Sequence, residues 1–296
     1  MTDQPRWPAG TPVNPTGKGP GGGRFRDDDA PGAAVGGWAA AAAGQAIGGW
    51  RPISRGELSL LVRNNTPIKR TKATGGQVAS TQILDYGGGR FAVHKAHGQY
   101  DGPDSVAGEY LSALVGHAIG APVPAVIIDP DSPDTAIYMQ YAPSDLTRAG
   151  LPARLTPEPM ASDDALLLGL LDVLVYNWDR NSSNWKIAPG GRMVGLDHGM
   201  ALREFNVRKP DGTVAAPALG LQMGARPGRR FVRVTPLGPQ WIDNDLHPDD
   251  IPVIRQRLQA LLPQFTDHHK QYYHQEMLER LDTLALHATG TRRVIT

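Results

Sequence analysis

The sequence predicts an α+β fold with an antiparallel sheet in its first half, mostly helices in its second half and a disordered N-terminal tail. The first 50 residues are rich in glycine, proline and alanine and contain no leucine. Glycine-rich turns at 75–76 and 87–89 then separate short runs of β-forming residues, which is typical of hairpins. Leucine-rich and amphipathic segments between 162 and 284 are typical of packed helices.

The overall composition excludes several classes of protein. The chain has 296 residues and no cysteine, which excludes disulfide scaffolds, zinc-thiolate sites, iron–sulfur clusters and thiol nucleophiles. Its 30 Lys and Arg residues nearly balance 29 Asp and Glu residues. Because electrostatic capture of nucleic acid or anionic membrane needs uncompensated basic residues, we expect no specific nucleic-acid partner.

The predicted tail covers residues 1–51, and the first 50 of these contain 18 glycines and prolines. Such a segment buries too little apolar surface to offset a backbone ordering cost of about 1–2 kcal/mol per residue. Its 21 uncharged residues between Asp29 and Arg51 are long enough to span a membrane. Nine alanines and six glycines give this run little transfer energy, so we expect no stable membrane anchor.

The tail also resembles the disordered N-termini of proteins carried by actinobacterial phages and mobile elements. That resemblance implies a cytoplasmic location in a bacterium or an infected host, and it leaves association with the virion open.

The first half, after a short apolar element at 58–62, contains two predicted hairpins. In the β-forming run 90–95, period-two alternation places Phe91, Val93 and Lys95 on one face of the strand. The strand therefore carries a lysine on the same face as two apolar side chains. Segments 122–129 and 135–141 predict two further strands, joined by the turn sequence DPDSPD.

A helix is predicted from Ser105, which can cap it, to about Ile119. Leu111, Leu114, Val115 and Ala118 form its packed stripe. A second stripe places Glu109 as the only carboxylate among small residues, namely Ser112, Ala113, Gly116 and Gly120. This face predicts a close approach to a neighbouring element, with one acid at the contact.

The second half is predicted to be mainly helical. Ser162 caps a run to Tyr176 that is apolar on nearly all sides, which is typical of a buried helix. Two amphipathic segments close the chain. Their apolar positions are Ile251, Ile254, Leu258, Leu261 and Phe265, then Tyr273, Met277, Leu281 and Leu284.

The chemically distinctive residues follow the predicted buried helix. Asp179 and Asn184 lie five positions apart in a polar loop, and Asp197 ends an apolar strand thirteen positions later. Mg²⁺ prefers carboxylate and amide oxygens together with phosphate oxygens. Asn184 and Asp197 supply that set, which leaves Asp179 free to accept the hydroxyl proton of an acceptor.

The pattern N-x-D-R-x-x-x-N-W followed by L-D-H-G resembles the phosphatidylinositol 3-/4-kinase-like superfamily, most closely type II phosphatidylinositol 4-kinases. Its catalytic-loop part is shared with HipA-like bacterial kinases. The resemblance covers roughly residues 66–285. It implies a two-lobed atypical protein-kinase-like fold, with a nucleotide-clamping lobe at 52–142 and a catalytic lobe at 143–296.

The resemblance also implies roles for individual residues. Asp179 takes the place of the catalytic aspartate, and Asn184 and Asp197 take the places of the ligands of Mg²⁺, for which Mn²⁺ is an alternative. Lys95 takes the place of the lysine that holds the α/β-phosphates of ATP, and Glu109 that of its helix partner. The further nucleotide-binding residues are Gly75, Gly76 and Ser80 in the loop over the phosphates and Met139, Gln140 and Tyr141 in the hinge against adenine.

We therefore expect an ATP- and Mg²⁺-dependent phosphotransferase. Lipid kinases of type II are held to membranes through palmitoylated cysteines, and this chain has none, which favours protein Ser/Thr hydroxyls over a lipid as acceptor. The basic segment 203–233 takes the place where relatives receive substrate, and it favours docking of an anionic acceptor or acidic peptide. Asn181 departs from the His or Gly of many relatives, so no role is carried over to it.

Three alternatives remain open at this level. The fold can serve as a nucleotide-binding pseudokinase or a virion-associated interaction module, with the tail as a tether. The same residues can also serve a lipid kinase. A third reading is transfer of AMP rather than phosphate.

Overall fold

We describe the protein from a computed structural model. The structure describes residues 50–73, 79–97, 102–143, 162–177, 180, 184–202, 232–235, 238–241, 244–265 and 268–295. The predicted tail therefore lies almost entirely outside the described residues.

The fold is α+β, as predicted, with a sheet in the first half and mainly helices in the second. The helices are α1 (Arg55–Asn64), α2 (Gly102–Ile119), α3 (Asp163–Leu174), α4 (Asp250–Gln259) and α5 (His268–Ala285), with a 3₁₀ turn at Leu262–Gln264. The main sheet contains β1 (Lys69–Lys72), β2 (Ala79–Asp85), β3 (Phe91–His97), β4 (Val126–Ile128) and β5 (Ala136–Gln140). Two hairpins follow, β6 (Trp185–Ile187) with β7 (Met193–Gly195) and β8 (Val232–Thr235) with β9 (Gly238–Trp241).

The main sheet is antiparallel throughout and has the strand order β1-β2-β3-β5-β4. Its turn between β2 and β3 requires glycine, because Gly87, Gly88 and Gly89 have φ angles of 77°, 62° and 76°. Lys95 lies opposite Thr81 on β2 and Ile137 on β5. Directly opposed residues share a face, so the predicted face of Lys95 is confirmed and continues onto β5.

The sheet is covered on both faces. On one face α1 buries Leu58 against Leu84, Tyr86 and Ala92, and a capping box between Ser54 and Glu57 starts this helix. On the other face α2 contributes apolar side chains that pack against β4 and β5. These side chains form a cluster of Val106, Ala113, Val126, Ile137 and Met139. The side of the sheet that carries Lys95 therefore faces α2.

Helix α2 begins at Gly102, three positions before the predicted start at Ser105. Pro103 and Asp104 both suit a first turn, since proline lacks an N–H there and an acid complements the helix dipole. Ser105 is instead buried within the helix. The predicted end at Ile119 is confirmed.

The helical half has its core around α3. Ser162 caps α3 as predicted, accepting a hydrogen bond from the Ala165 N–H at 3.2 Å, and every residue from Ala165 to Leu174 is buried. The predicted apolar positions of the two closing segments are also buried, except Leu261, which is only partly buried. The buried positions are Ile251, Ile254, Leu258, Phe265, Tyr273, Met277, Leu281 and Leu284. Among the described residues, no helix has the length and apolar character needed to cross a membrane.

Two glycines let α2 approach its neighbours closely, as the small-residue stripe predicts for Gly116. A Cβ on Gly116 would lie 2.5 Å from Val123 Cγ2. A Cβ on Gly108 would lie 2.8 Å from the carbonyl oxygen of His198 and 3.0 Å from that of Ala201. Helix α2 thus packs directly on the backbone that follows β7.

We expect Gly108→Ala to lower the free energy of unfolding by about 1–3 kcal/mol, because backbone carbonyls cannot move aside as a flexible side chain can. Gly56→Ala is the matched control in α1, where the nearest atom to a new Cβ is Ser54 Oγ at 3.8 Å. Alanine should stabilise that helix by up to about 1 kcal/mol. Urea unfolding of both variants checks the contrast, and equal effects would contradict the close packing at Gly108.

Candidate active site

The candidate site lies between the main sheet, α2 and the β6–β7 hairpin. One face of the hairpin packs on the helical core, because a Cβ on Gly195 would lie 2.6 Å from Leu168 Cδ2 of α3. The opposite face carries Val194 and Leu196 and packs against residues from the sheet and its flanks. The residue that follows, Asp197, therefore leaves the hairpin beside the Lys95 face of the sheet.

Lys95 is the central cation of the site. Its Nζ donates to Glu109 Oε1 at 2.5 Å and to Asp197 Oδ1 at 2.5 Å. Burial alone would lower the pKa of Lys95, but the two carboxylates raise it above its ordinary value. Lys95 is thus held positively charged between two acids from separate elements.

Glu109 fixes Lys95 from the core side. Its side chain is completely buried, and its second oxygen, Oε2, accepts the backbone N–H of His198 at 2.9 Å. Burial raises the pKa of Glu109, and Lys95 and the His198 N–H oppose that rise. One carboxylate therefore links β3, α2 and the segment after β7.

Asp197 differs from Glu109 in being accessible. Its side chain is 49% exposed, and Lys95 lowers the pKa of Asp197 to about 2. Its φ angle is 55°, in the left-handed region that residues other than glycine adopt infrequently. The site therefore presents an ionised carboxylate on a left-handed backbone.

Asn184 lies at the same end of the hairpin as Asp197. Its carbonyl oxygen accepts the N–H of Leu196 at 2.8 Å, which places Asn184 next to the segment that carries Asp197. A carboxylate and an amide fit the oxygen preference of Mg²⁺ or Mn²⁺. In the described part of the chain, no group of three His, Cys, Asp or Glu residues is arranged to hold a metal.

A buried arginine, Arg180, joins the two backbone segments that carry the predicted metal ligands. Arg180 is 1% exposed, and it forms a two-point ion pair with Asp172 of α3 through Nη2 at 3.0 Å and Nε at 3.3 Å. Its Nη1 also donates to the carbonyl oxygens of Asn184 and Leu196. Arg180 thus braces the backbone on either side of the hairpin end.

His198 completes this network as a neutral acceptor. Burial and the nearby Arg180 charge lower the pKa of His198 well below its ordinary value. Its Nε2 lies 2.5 Å from Arg180 Nη2, so a neutral ring accepts that N–H. One signal in the sequence points to this network, because Asp172 is an acid inside an otherwise apolar run and a buried acid needs a cationic partner.

The structure places the other predicted residues as follows. Ser80 lies in β2 opposite Ala96, and its side chain is therefore on the sheet face away from Lys95. The next residue, Thr81, lies opposite Lys95 and shares its face. Met139 lies opposite Val93 and thus on the same face as Lys95. Asp179, Gly75, Gly76 and most of the basic segment 203–233 lie outside the described residues.

The remaining predicted hinge residues have clear structural contacts. The Gln140 side chain donates to the carbonyl of Arg51 at 2.7 Å and accepts the N–H of Ile53 at 3.1 Å, which ties β5 to the segment before α1. The Tyr141 ring packs on that of Phe91 with a centroid distance of 5.5 Å. The Gln140 amide is therefore occupied by backbone groups.

Comparisons with known proteins give structural neighbours only. No protein-family model matches the sequence, and no curated protein shows significant similarity to it. The proinflammatory kinase CtkA of Helicobacter pylori is similar at 12% identity and a TM-score of 0.44, covering 72% of this chain and 91% of that one.

Two further solved structures are similar at comparable levels. HipA of Shewanella oneidensis MR-1, in complex with HipB and operator DNA, has 12% identity and a TM-score of 0.40, covering 78% of this chain and 71% of that one. A thermostable mutant of aminoglycoside phosphotransferase APH(4)-Ia, in complex with AMP-PNP and hygromycin B, has 12% identity and a TM-score of 0.31, covering 79% and 99%. Since all three TM-scores lie below 0.5, we assign no function from these similarities.

Proposed function

We propose that the protein is an ATP- and Mg²⁺-dependent phosphotransferase whose acceptor is a protein Ser/Thr hydroxyl. The observation that carries the proposal is the position of Lys95, 2.5 Å from both the buried Glu109 and the half-exposed Asp197. A cation held from the core by one acid and shared with an accessible second acid suits the binding of a metal-bound polyphosphate.

The chemistry expected of such a site is positioning and charge neutralisation. Glu109 keeps the Lys95 ammonium in place, so that its remaining N–H group can bind phosphate oxygens. Phosphoryl transfer needs little covalent participation from the protein, and preorganised charges act strongly where water is excluded. The completely buried Glu109 and the 12% exposed Lys95 side chain supply that setting.

The metal requirement rests on the donor set of Asn184 and Asp197. The low pKa of Asp197 keeps its carboxylate ionised at neutral pH, as a ligand must be. A bound Mg²⁺ would supply neutralisation of the charge on the phosphates. Arg180 holds the carbonyls of Asn184 and Leu196, and so fixes the spacing between the two ligand-bearing segments.

Asp179 is proposed as the group that accepts the hydroxyl proton. Although Asp179 itself is outside the described residues, its neighbours in the chain are anchored to one carboxylate. Asn177 Nδ2 donates to Asp172 Oδ1 at 2.9 Å, and Arg180 pairs with the same group. A loop anchored at both 177 and 180 suits a residue that must be positioned within hydrogen-bonding reach of a substrate.

Incubation of the full chain with labelled ATP and Mg²⁺ tests the proposal, with casein-type protein and the chain itself as acceptors. We expect label transfer by the wild type and a loss of at least about 100-fold in Asp179→Ala and Asp197→Ala. Intact-mass analysis distinguishes the added phosphate from an added AMP. Equal labelling in all three proteins, or an AMP adduct, would rule out the assignment.

A further inference from the structure

Thr81 is a hydroxyl-bearing residue beside Lys95 to which the proposed mechanism gives no role. In the pairing of β2 with β3 it lies directly opposite Lys95, so the two side chains project from the same face of the sheet. The Cβ atoms of such a pair lie about 4.5–5.5 Å apart. Ser80, one position earlier, projects from the other face. Of the residues in β2, Thr81 is therefore the one whose hydroxyl shares the face of Lys95.

Helix α2 leaves this part of the sheet face uncovered. Its apolar cluster with the sheet takes residues from β3, β4 and β5 and, among the described residues, none from β2. Thr81 and its neighbour on the same face of β2, Ile83, are both partly exposed. On the other side of Lys95, the opposing β5 residue Ile137 is fully buried. A ligand at Lys95 can therefore reach the sheet on the β2 side, where Thr81 lies.

The position of the Thr81 hydroxyl is well defined by its surroundings. The Thr81 carbonyl oxygen accepts the N–H of Ala73 at 2.9 Å, and the strand pairs with β3 on its other side. A β-branched side chain has few χ1 rotamers, while the hydroxyl hydrogen can turn toward an acceptor. No hydrogen bond of the Thr81 side chain is found in the described part of the chain. The hydroxyl can therefore donate to a ligand at a low cost in conformational entropy.

A hydroxyl next to an ammonium group suits a chain of phosphate oxygens. Lys95 has three N–H groups, and Glu109 and Asp197 accept two of them, which leaves one for a phosphate. A ligand bound through a single N–H can still turn about that contact, and a second donor from the neighbouring strand fixes its orientation. Hydrogen bonds to charged acceptors are also roughly twice as strong as neutral ones. We propose that the Thr81 hydroxyl donates to a phosphate oxygen of the bound nucleotide beside the one that Lys95 binds, an inference that rests on the proposed function.

Calorimetric titration of the full chain with AMP-PNP and Mg²⁺ tests this assignment through two substitutions at one position. Thr81→Val keeps the shape of the side chain and removes the hydroxyl, and it should weaken binding by about tenfold, as the loss of a hydrogen bond to a charged group does. Thr81→Ser keeps the hydroxyl and removes the methyl group, and it should weaken binding by less than about threefold. Inorganic tripolyphosphate with Mg²⁺, measured as a competitor of AMP-PNP, should bind Thr81→Val about tenfold more weakly than the wild type.

Thr66→Val is the matched control, because it makes the same substitution at an exposed threonine before β1, and it should leave the affinity unchanged. Thr81→Val should keep the thermal unfolding midpoint of the wild type, so that weaker binding does not reflect unfolding. Thr81→Val with wild-type affinity, or an equal loss in Thr81→Ser, overturns the role of the hydroxyl alone. Tripolyphosphate that competes equally in the wild type and Thr81→Val, or in neither, overturns the contact with phosphate. No binding of AMP-PNP to the wild type overturns the inference together with the proposed function.

Discussion

Lys95→Met is expected to lower kcat/KM for Mg²⁺-dependent ADP formation from ATP by about 100- to 1000-fold. The reason is that the variant removes the charge aimed at the phosphates while the rest of the cleft stays in place. Lys95 contacts both Glu109 and Asp197, so the same change also releases the Asp197 carboxylate from its cation. A steady-state assay of ADP formation measures the effect. The control is Lys69→Met, which makes the same substitution at an exposed lysine of β1.

Loss of activity through unfolding has to be separated from loss of the charge. Lys95→Met leaves Glu109 buried without a cation, which commonly costs about 3–5 kcal/mol of stability. The double variant Lys95→Met, Glu109→Gln replaces the buried acid with a neutral amide that still accepts the His198 N–H. We expect the double variant to regain stability and to remain inactive. Recovery of activity along with stability would show that Lys95 is structural.

Arg180→Met is expected to lower the free energy of unfolding by about 3–5 kcal/mol. The side chain donates to Asp172, to two backbone carbonyls and to His198, all of them enclosed by the protein. Each of these acceptors loses its bond from Arg180 in the variant, and the Asp172 carboxylate keeps only the neutral Asn177 amide and becomes a buried charge without a cation. Urea unfolding monitored by circular dichroism measures the loss.

The neutral pair Arg180→Met, Asp172→Asn separates the charge from the hydrogen bonds. Removing both charges should restore part of the lost stability, since the unpaired carboxylate is the most costly element. Activity should not return, because the carbonyls of Asn184 and Leu196 still lack the donor that sets their spacing. A single variant Arg180→Met as stable as the wild type would contradict the bracing role of Arg180.

Short-range pattern was sufficient to predict the faces that carry Lys95 and Glu109, and the resemblance implied that the two residues pair. Strand alternation placed Lys95 on an apolar face, and helical spacing placed Glu109 alone among small residues, because both periods are set by backbone geometry. The order of strands and helices also followed from local turn and cap signals, as at Gly87–Gly89 and Ser162. These features depend on residues that are close in sequence, so they can be predicted from the sequence alone.

Contacts between distant segments were harder to predict. The Arg180 network joins α3 to the two strands at the open end of the hairpin, and nothing in the local sequence states which buried acid an arginine will meet. The face of Ser80 was also hard to predict, because it depends on the register between β2 and β3. A shift of that register by one residue moves every side chain of the strand to the other face. The early start of α2 at Gly102 shows that a good capping residue such as Ser105 also fits inside a first turn.

Equilibrium dialysis of labelled AMP-PNP against the full chain, with and without Mg²⁺, tests most directly whether this cleft is a metal-nucleotide site. We expect binding that Mg²⁺ strengthens by about tenfold or more. We also expect that Asp197→Asn loses the Mg²⁺ dependence and that the Lys95→Met, Glu109→Gln variant loses binding while staying folded. No binding to the wild type, or equal binding by the wild type and both variants, would contradict the assignment of Lys95 and Asp197.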